Sequence, residues 1–264
     1  MKALDVVDGS PHQGVKVFAD YAGPIKASCE ALVVGSGPGG AVVAKELAEA
    51  GLDVILLEEG PPFGVADFRK DAGAAMQRTL RECGTRVAMG NAYMPTMQAN
   101  ALGGGSLINS AICARMPDFA FEKWQERTGI GLTRETLDPH FARVERFLGV
   151  EPTAQETLGQ RNLRFKAGCD ALGMSSEPTH RNVRGCKGSG ECFTGCRNGA
   201  KRSTDVSYVP AAIRAGARVY TSVRVEHLLH DGDIVRGIRG HVVEPFTSRT
   251  GHEVEIRAMT VVLA

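Results

Sequence analysis

The stretch Ala31–Gly60, ALVVGSGPGGAVVAKELAEAGLDVILLEEG, decides the fold. Leu32, Val33 and Val34 form a short apolar run, the mark of a parallel strand buried on both faces. The spacing Gly35-x-Gly37-x-x-Gly40 follows, and a helix opens inside that loop. Each glycine has its own reason. Gly35 allows the tight turn, Gly37 lets the backbone approach a pyrophosphate, and Gly40 lets helix and strand pack closely. The free N–H groups and positive dipole end of the helix then face the phosphate. Val54–Leu57 is a second buried strand with Glu58 at its carboxyl end. A carboxylate there accepts hydrogen bonds from the hydroxyls of an adenosine ribose. Glu59 is the alternative; Glu58 is preferred because it comes directly off the strand. A glycine turn alone is weak evidence, but here strand, helix and acid all stand where a dinucleotide needs them.

The chain around this unit has 264 residues, a length that fits one to two domains and buries an ample core. Hydrophobic content of 43% and charged content of 23% are ordinary for a globular protein. A net charge of +1 gives no case for nucleic acid or an acidic membrane as partner. No apolar run approaches the roughly 20 residues a bilayer span needs. The N-terminus, MKALDVVDGSPHQGVKVF, has neither a signal core nor twin arginines, so a cytoplasmic location is expected. Seven cysteines is an odd number for a disulfide framework and fits a reducing compartment or a metal site better.

Residues 1–29 read as short strands and turns, and 30–115 as the nucleotide-binding core. Residues 116–217 read as a helical, cysteine-containing insertion, and 218–264 as strands returning to the core. Helical spacing covers Ala66–Glu82, Ala120–Arg127 and Leu158–Leu172, while Asn91–Asn100 is irregular. Asp138 reads as an N-cap with Pro139 as first helical residue. Phe141, Val144, Phe147 and Leu148 form that helix's apolar face, and Gly149 ends it. Arg218–Leu229, Ile234–Glu244 and Glu253–Ala264 read as strands, with a hairpin turn at His230–Asp233.

A second glycine loop, NALGGGSLINS at Asn100–Ser110, separates flavin from nicotinamide. Gly103, Gly104 and Gly105 allow backbone approach to a ligand. Ser106 offers a hydroxyl and a helix-start N–H, and Asn109 both a donor and an acceptor. Capping of a helix is the plainer reading of that loop alone. Paired with the first loop, a second contact to one long cofactor reads better.

Strand–GSGPGG–helix–LLEEG followed by LGGGSLIN resembles the N-terminal half of the glucose–methanol–choline (GMC) flavin oxidoreductases. SVRVEHLLHDGDIVRGI, Ser222–Ile238, resembles that family's strand pair, in which a valine backbone, here Val225, meets the adenine. Cys186–Ala212 is similar to the subgroup with long-chain alcohol oxidases and bacterial sugar or sterol dehydrogenases. The resemblance runs from about Glu30 to Ala264. It implies an α/β fold: a Rossmann-like FAD-binding domain with a parallel sheet, a partial helical and irregular cap region, and antiparallel strands. It implies FAD as cofactor, with Gly35, Ser36, Gly37 and Gly40 at the pyrophosphate and Glu58 at the ribose. Gly103, Gly104, Gly105, Ser106 and Asn109 would line the flavin side. The family more often carries Thr or Ser where this chain has Gly105.

The implied reaction is oxidation of a CH–OH group of an alcohol, sugar or sterol-like donor by hydride transfer to flavin, with a separate electron acceptor. By the same likeness, the family's catalytic histidine would follow Ala264. None of His12, His140, His180, His227, His230, His241 and His252 sits in a matching motif, so no catalytic residue is named. An inactive FAD-binding fragment, or one half of a split enzyme with a separate C-terminal subunit, is the alternative. A NAD-dependent dehydrogenase is a further one, against which LGGGSLIN speaks. Cys186-x5-Cys192-x3-Cys196 lies in a basic, glycine-rich loop. Some relatives among FAD sugar dehydrogenases hold an iron–sulfur cluster on a similar run. The spacing departs from the common ferredoxin pattern. A Cys186–Cys192 disulfide and plain structural thiols stay open beside the cluster.

Overall fold

The computed structural model describes residues 12–264. Residues 1–11, part of the expected N-terminal strands and turns, lie outside the described chain. In chain order the elements are β1 (Val15–Lys16), β2 (Ile25–Val34), α1 (Pro38–Glu49), β3 (Val54–Leu57), α2 (Ala72–Thr79), β4 (Val87–Ala88), β5 (Met94–Pro95) and α3 (Gly105–Ile108). They continue with α4 (Asp118–Thr128), α5 (Arg134–Leu148), β6 (Glu151–Pro152), α6 (Gln160–Ala171), β7 (His180–Arg181) and α7 (Tyr208–Arg214). The chain closes with β8 (Arg218–Tyr220), β9 (Val223–Asp231), β10 (Ile234–Val243) and β11 (Thr250–Leu263).

The chain forms two compact units. The first holds the residues up to Asn109, with Glu191–Arg197 and Ser203–Ala264; the second holds Ser110–Gly190 and Asn198–Arg202. The first unit is built on a seven-stranded sheet of order β1-β8-β3-β2-β11-β10-β9. The block from β1 to β11 is parallel, and β10 and β9 continue it as an antiparallel flank. Leu32, Val33 and all of β3 are fully buried, as strands covered on both faces must be. Helix α7 packs on α1. The fold is α/β and Rossmann-like, with its mainly parallel sheet and the β2–α1–β3 unit at its centre.

The second unit carries α4, α5, α6 and the short β6–β7 ladder. Here local chemistry moved one boundary. Helix α5 starts at Arg134, not at Pro139. Thr133 accepts a hydrogen bond from the Thr136 amide and caps the helix one turn earlier. Asp138 is instead drawn to Arg115 and Arg134. Gly149, at φ 65°, ends the helix as its spacing predicts. Helix α6 ends beside Gly173, which also takes a left-handed φ of 66°. In the first unit α2 is shorter than Ala66–Glu82. Asp71 caps it at the Ala74 amide, and Glu82 and Cys83 turn left-handed at φ 50° and 55°. No helix among the described residues is long and apolar enough to cross a membrane.

Candidate cofactor site

The site is built wholly within the first unit, at the carboxyl ends of β2, β3 and β8. Val34 pairs with Leu57, and Leu57 with Tyr220, so three parallel strands end together. Ligands bind at such an edge in open α/β sheets. Gly35 leaves β2 at φ 101°, with its N–H donating to the Leu57 carbonyl at 2.8 Å. A Cβ on Gly40 would stand 1.9 Å from the Gly35 carbonyl oxygen, so only glycine lets the helix approach the strand. Gly37 is different. It takes an ordinary φ of −61°, and a Cβ there would meet nothing within 4 Å. Nothing inside the protein demands glycine at 37. The demand fits a ligand seated over the loop. Pro38 opens α1, whose first turn carries no acidic side chain of its own.

Glu58 sits under this loop. Its Oε2 accepts from the Ser36 amide at 3.0 Å and the Ser36 hydroxyl at 2.6 Å, and its Oε1 accepts from the Gly60 amide at 2.8 Å. Burial pushes its carboxyl up, against the bonds from Ser36 and Gly60 that hold it down. Its backbone bridges to the next strand: Glu58 N–H donates to Tyr220 O, and Val223 N–H donates to Glu58 O, each at 2.9 Å. That places Glu58 beside the start of β9, where Val225 lies half-buried against the core. Ser222, between these contacts, is fully buried at φ 60° with no partner for its hydroxyl. Glu59 points elsewhere. Arg81 grips it with two parallel bonds of 2.9 and 3.0 Å, and Arg224 adds a third at 2.9 Å.

The second glycine loop lies directly on the first. A Cβ on Gly104 would be 2.8 Å from the Gly37 Cα, and one on Gly60 would be 2.0 Å from the Ala101 amide nitrogen. Gly103 takes φ 94° and faces Asp205, whose Cβ would lie 3.0 Å from a side chain there. Gly105, like Gly37, would meet open space. The Ser36 hydroxyl accepts from the Gly103 amide at 2.9 Å while donating to Glu58, so its bonding capacity joins the two loops. The Ser106 hydroxyl is turned inward, donating to Gly103 O at 2.6 Å. Asn109, just past α3, is exposed.

Sequence reasoning missed Thr204. It is buried, and its hydroxyl lies 3.1 Å from Ser36 O, 3.0 Å from Gly103 O and 3.0 Å from Ser106 Oγ. It stands in Lys201-Arg202-Ser203-Thr204-Asp205, a run of five buried polar residues. Polar residues without apolar periodicity carry no sequence signal of burial. Glu191–Arg197 belongs to the same unit, and a Cβ on Gly195 would be 2.0 Å from the Phe68 ring.

The metal expectation for Cys186, Cys192 and Cys196 is corrected. Among the described residues, no three His, Cys, Asp or Glu side chains gather as a metal would require. All seven cysteines are free thiols, so the disulfide is not formed either. Cys186 belongs to the second unit, and Cys192 and Cys196 to the first.

The family model described as GMC oxidoreductase matches residues 30–264. The chain belongs to the GMC oxidoreductases. An uncharacterised GMC-type oxidoreductase of Mycobacterium tuberculosis is 34% identical over 87% of this chain and 37% of its own length. The long-chain-alcohol oxidase FAO3 of Arabidopsis thaliana is 29% identical over 85% of this chain and 30% of its own. Among solved structures, a formate oxidase of Aspergillus oryzae, studied for FAD modification, shares the fold. Its TM-score is 0.62 at 15% identity, over 90% of this chain and 45% of that one. This GMC chain thus spans less than half the length of these relatives.

Proposed function

We propose that the chain binds FAD across its two glycine loops, and that the whole GMC protein oxidises a CH–OH group of an alcohol, sugar or sterol-like donor. Gly37 carries the reading: a loop glycine with open space over it, at the N-terminus of a helix, suits a pyrophosphate. A carboxylate offers roughly four acceptor positions, and Ser36 and Gly60 occupy three on Glu58, which leaves capacity for a ribose hydroxyl. Val225 supplies backbone on the adenine side. Gly105 and Asn109 flank the space on the flavin side. When bound, FAD supplies the hydride acceptor for the oxidation.

The protein's own share is to seat the dinucleotide, fix its ribose and exclude water from it. The base that takes the hydroxyl proton is assigned to none of the chain's histidines. The His12 ring is engaged by Phe63 O at 3.0 Å, and the His241 ring by Glu226 at 3.0 Å. The long-chain-alcohol oxidases among its relatives support an alcohol as donor. The test is the absorbance spectrum of purified protein, with titration of the apoprotein by FAD and by NAD. Flavin bands and saturable FAD uptake that NAD does not displace are expected. A colourless protein that takes NAD and refuses FAD would overturn the reading.

A further inference from the structure

We infer that Thr204 is the positioning residue that holds the two glycine loops in register for one ligand lying across both, an inference that rests on the dinucleotide reading above. Its hydroxyl has a single proton and faces the carbonyl of Ser36 in the first loop and of Gly103 in the second, at 3.1 and 3.0 Å. One side chain thereby touches both loops. Ser106 completes the arrangement. Its hydroxyl donates to Gly103 O at 2.6 Å and accepts from the Thr204 amide at 3.0 Å. Ser106 thus supplies the donor to Gly103 O, which leaves the single Thr204 proton for Ser36 O. On the other side Ser36 Oγ takes the Gly103 amide at 2.9 Å. The joint is dry: Ser36, Thr204 and Ser106 are all buried. Buried hydrogen bonds that satisfy one another rigidify the groups they connect.

Thr204 is itself fixed from behind. The Val209 amide donates to Thr204 O at 2.9 Å, which ties it to the start of α7, and α7 packs on α1, the helix that the first loop opens. The position of the second loop is therefore referred back to the helix that faces the pyrophosphate. A ligand touching only the first loop gains little from this joint. A ligand that must meet both loops needs their spacing set before it arrives, because ordering them on binding would subtract from its affinity.

The experiment compares FAD with ADP, which carries the adenosine and pyrophosphate but no flavin. Thr204→Val keeps the shape and removes the hydroxyl. We expect it to weaken FAD binding about 10- to 100-fold while ADP affinity stays within about twofold. Thr204→Ser restores the hydroxyl and is expected to restore FAD affinity. Ser106→Ala, which removes the other half of the joint, is expected to show the same selective loss and serves if the valine variant does not fold. Equal losses for FAD and ADP, or no loss for either, would overturn the role of Thr204. A wild-type chain that binds neither ligand would overturn the dinucleotide reading itself.

Discussion

At the scale of single residues, the glycines divide by where their constraint comes from. Gly40 is held by its own chain and Gly37 by nothing in it. Gly37→Val should therefore leave the fold in place, at a cost of about 1 kcal/mol for a poorer helix cap, and abolish FAD uptake. Gly40→Ala should cost about 2 kcal/mol or more, because the new methyl meets backbone. Calorimetry beside flavin content separates the two, and the reverse pattern would remove the pyrophosphate from Gly37.

Glu58→Gln keeps size but gives up charge-assisted bonds worth roughly 1.5–3 kcal/mol, so FAD affinity should fall about one to two orders of magnitude. Glu59→Gln should change it far less, since Glu59 is spent on Arg81 and Arg224. The pH profile adds a second check. Burial raises the Glu58 carboxyl, so in the free protein its contribution to stability is present below the ordinary carboxylate range and lost as pH rises through the raised value. Ribose hydroxyls favour the ionised form, so FAD affinity should climb through that same window and then level. Glu58→Gln should flatten the climb. Glu59 runs the opposite way. Burial opposes its ionisation, but the two arginines hold it below the ordinary range. Its contribution is present above that range and lost as pH falls through the lowered value. Gly35 and Gly40 were legible because each answers a local steric need. Thr204 was not, because its partners stand far away in sequence.

At the scale of elements, the β2–α1–β3 periodicity and the Gly149 C-cap read true, and the Asp138 N-cap did not. The run β2–α1–β3 follows its apolar pattern, and the β9–β10 hairpin turns at Gly232 with φ 60°. Helix α5 shows where pattern fails: Asp138-Pro139 resembles a helix start, yet Thr133 closes a capping box one turn earlier. Thr133→Ala should destabilise the second unit by about 1 kcal/mol. Asp138→Asn, which loses only half-exposed ion pairs, should cost a few tenths at most. Denaturant unfolding that ranked the two the other way would return the cap to Asp138. Helix α2 is shorter than its apolar spacing because Asp71 caps it at the Ala74 amide and Leu80 already takes an extended backbone.

At the scale of the whole molecule, the sheet is assembled from distant parts of the chain. β8 pairs with β3 and with β1, and β11 pairs with β2 along its length. The parallel order was legible in kind from the buried apolar runs, but the sequence of strands was not, since nothing local says which edges meet. A chain ending at Ala217 would leave both flanks of the β2–β3 pair without partners. It should be largely insoluble and bind no FAD, as sedimentation and a flavin assay on the shortened chain would reveal. A soluble, yellow product would mean that the last strands are dispensable.

The joint at Thr204 also sets a clock on biosynthesis. Thr204 stands 168 positions from Ser36, so a ribosome adding roughly 5–20 residues per second makes the first loop about 8 to 34 seconds before the side chain that secures it. Through that interval the nascent chain carries a dinucleotide loop without its clamp and a β2 edge without β11. Flavin is therefore expected to load only after Thr204 and β11 have been made.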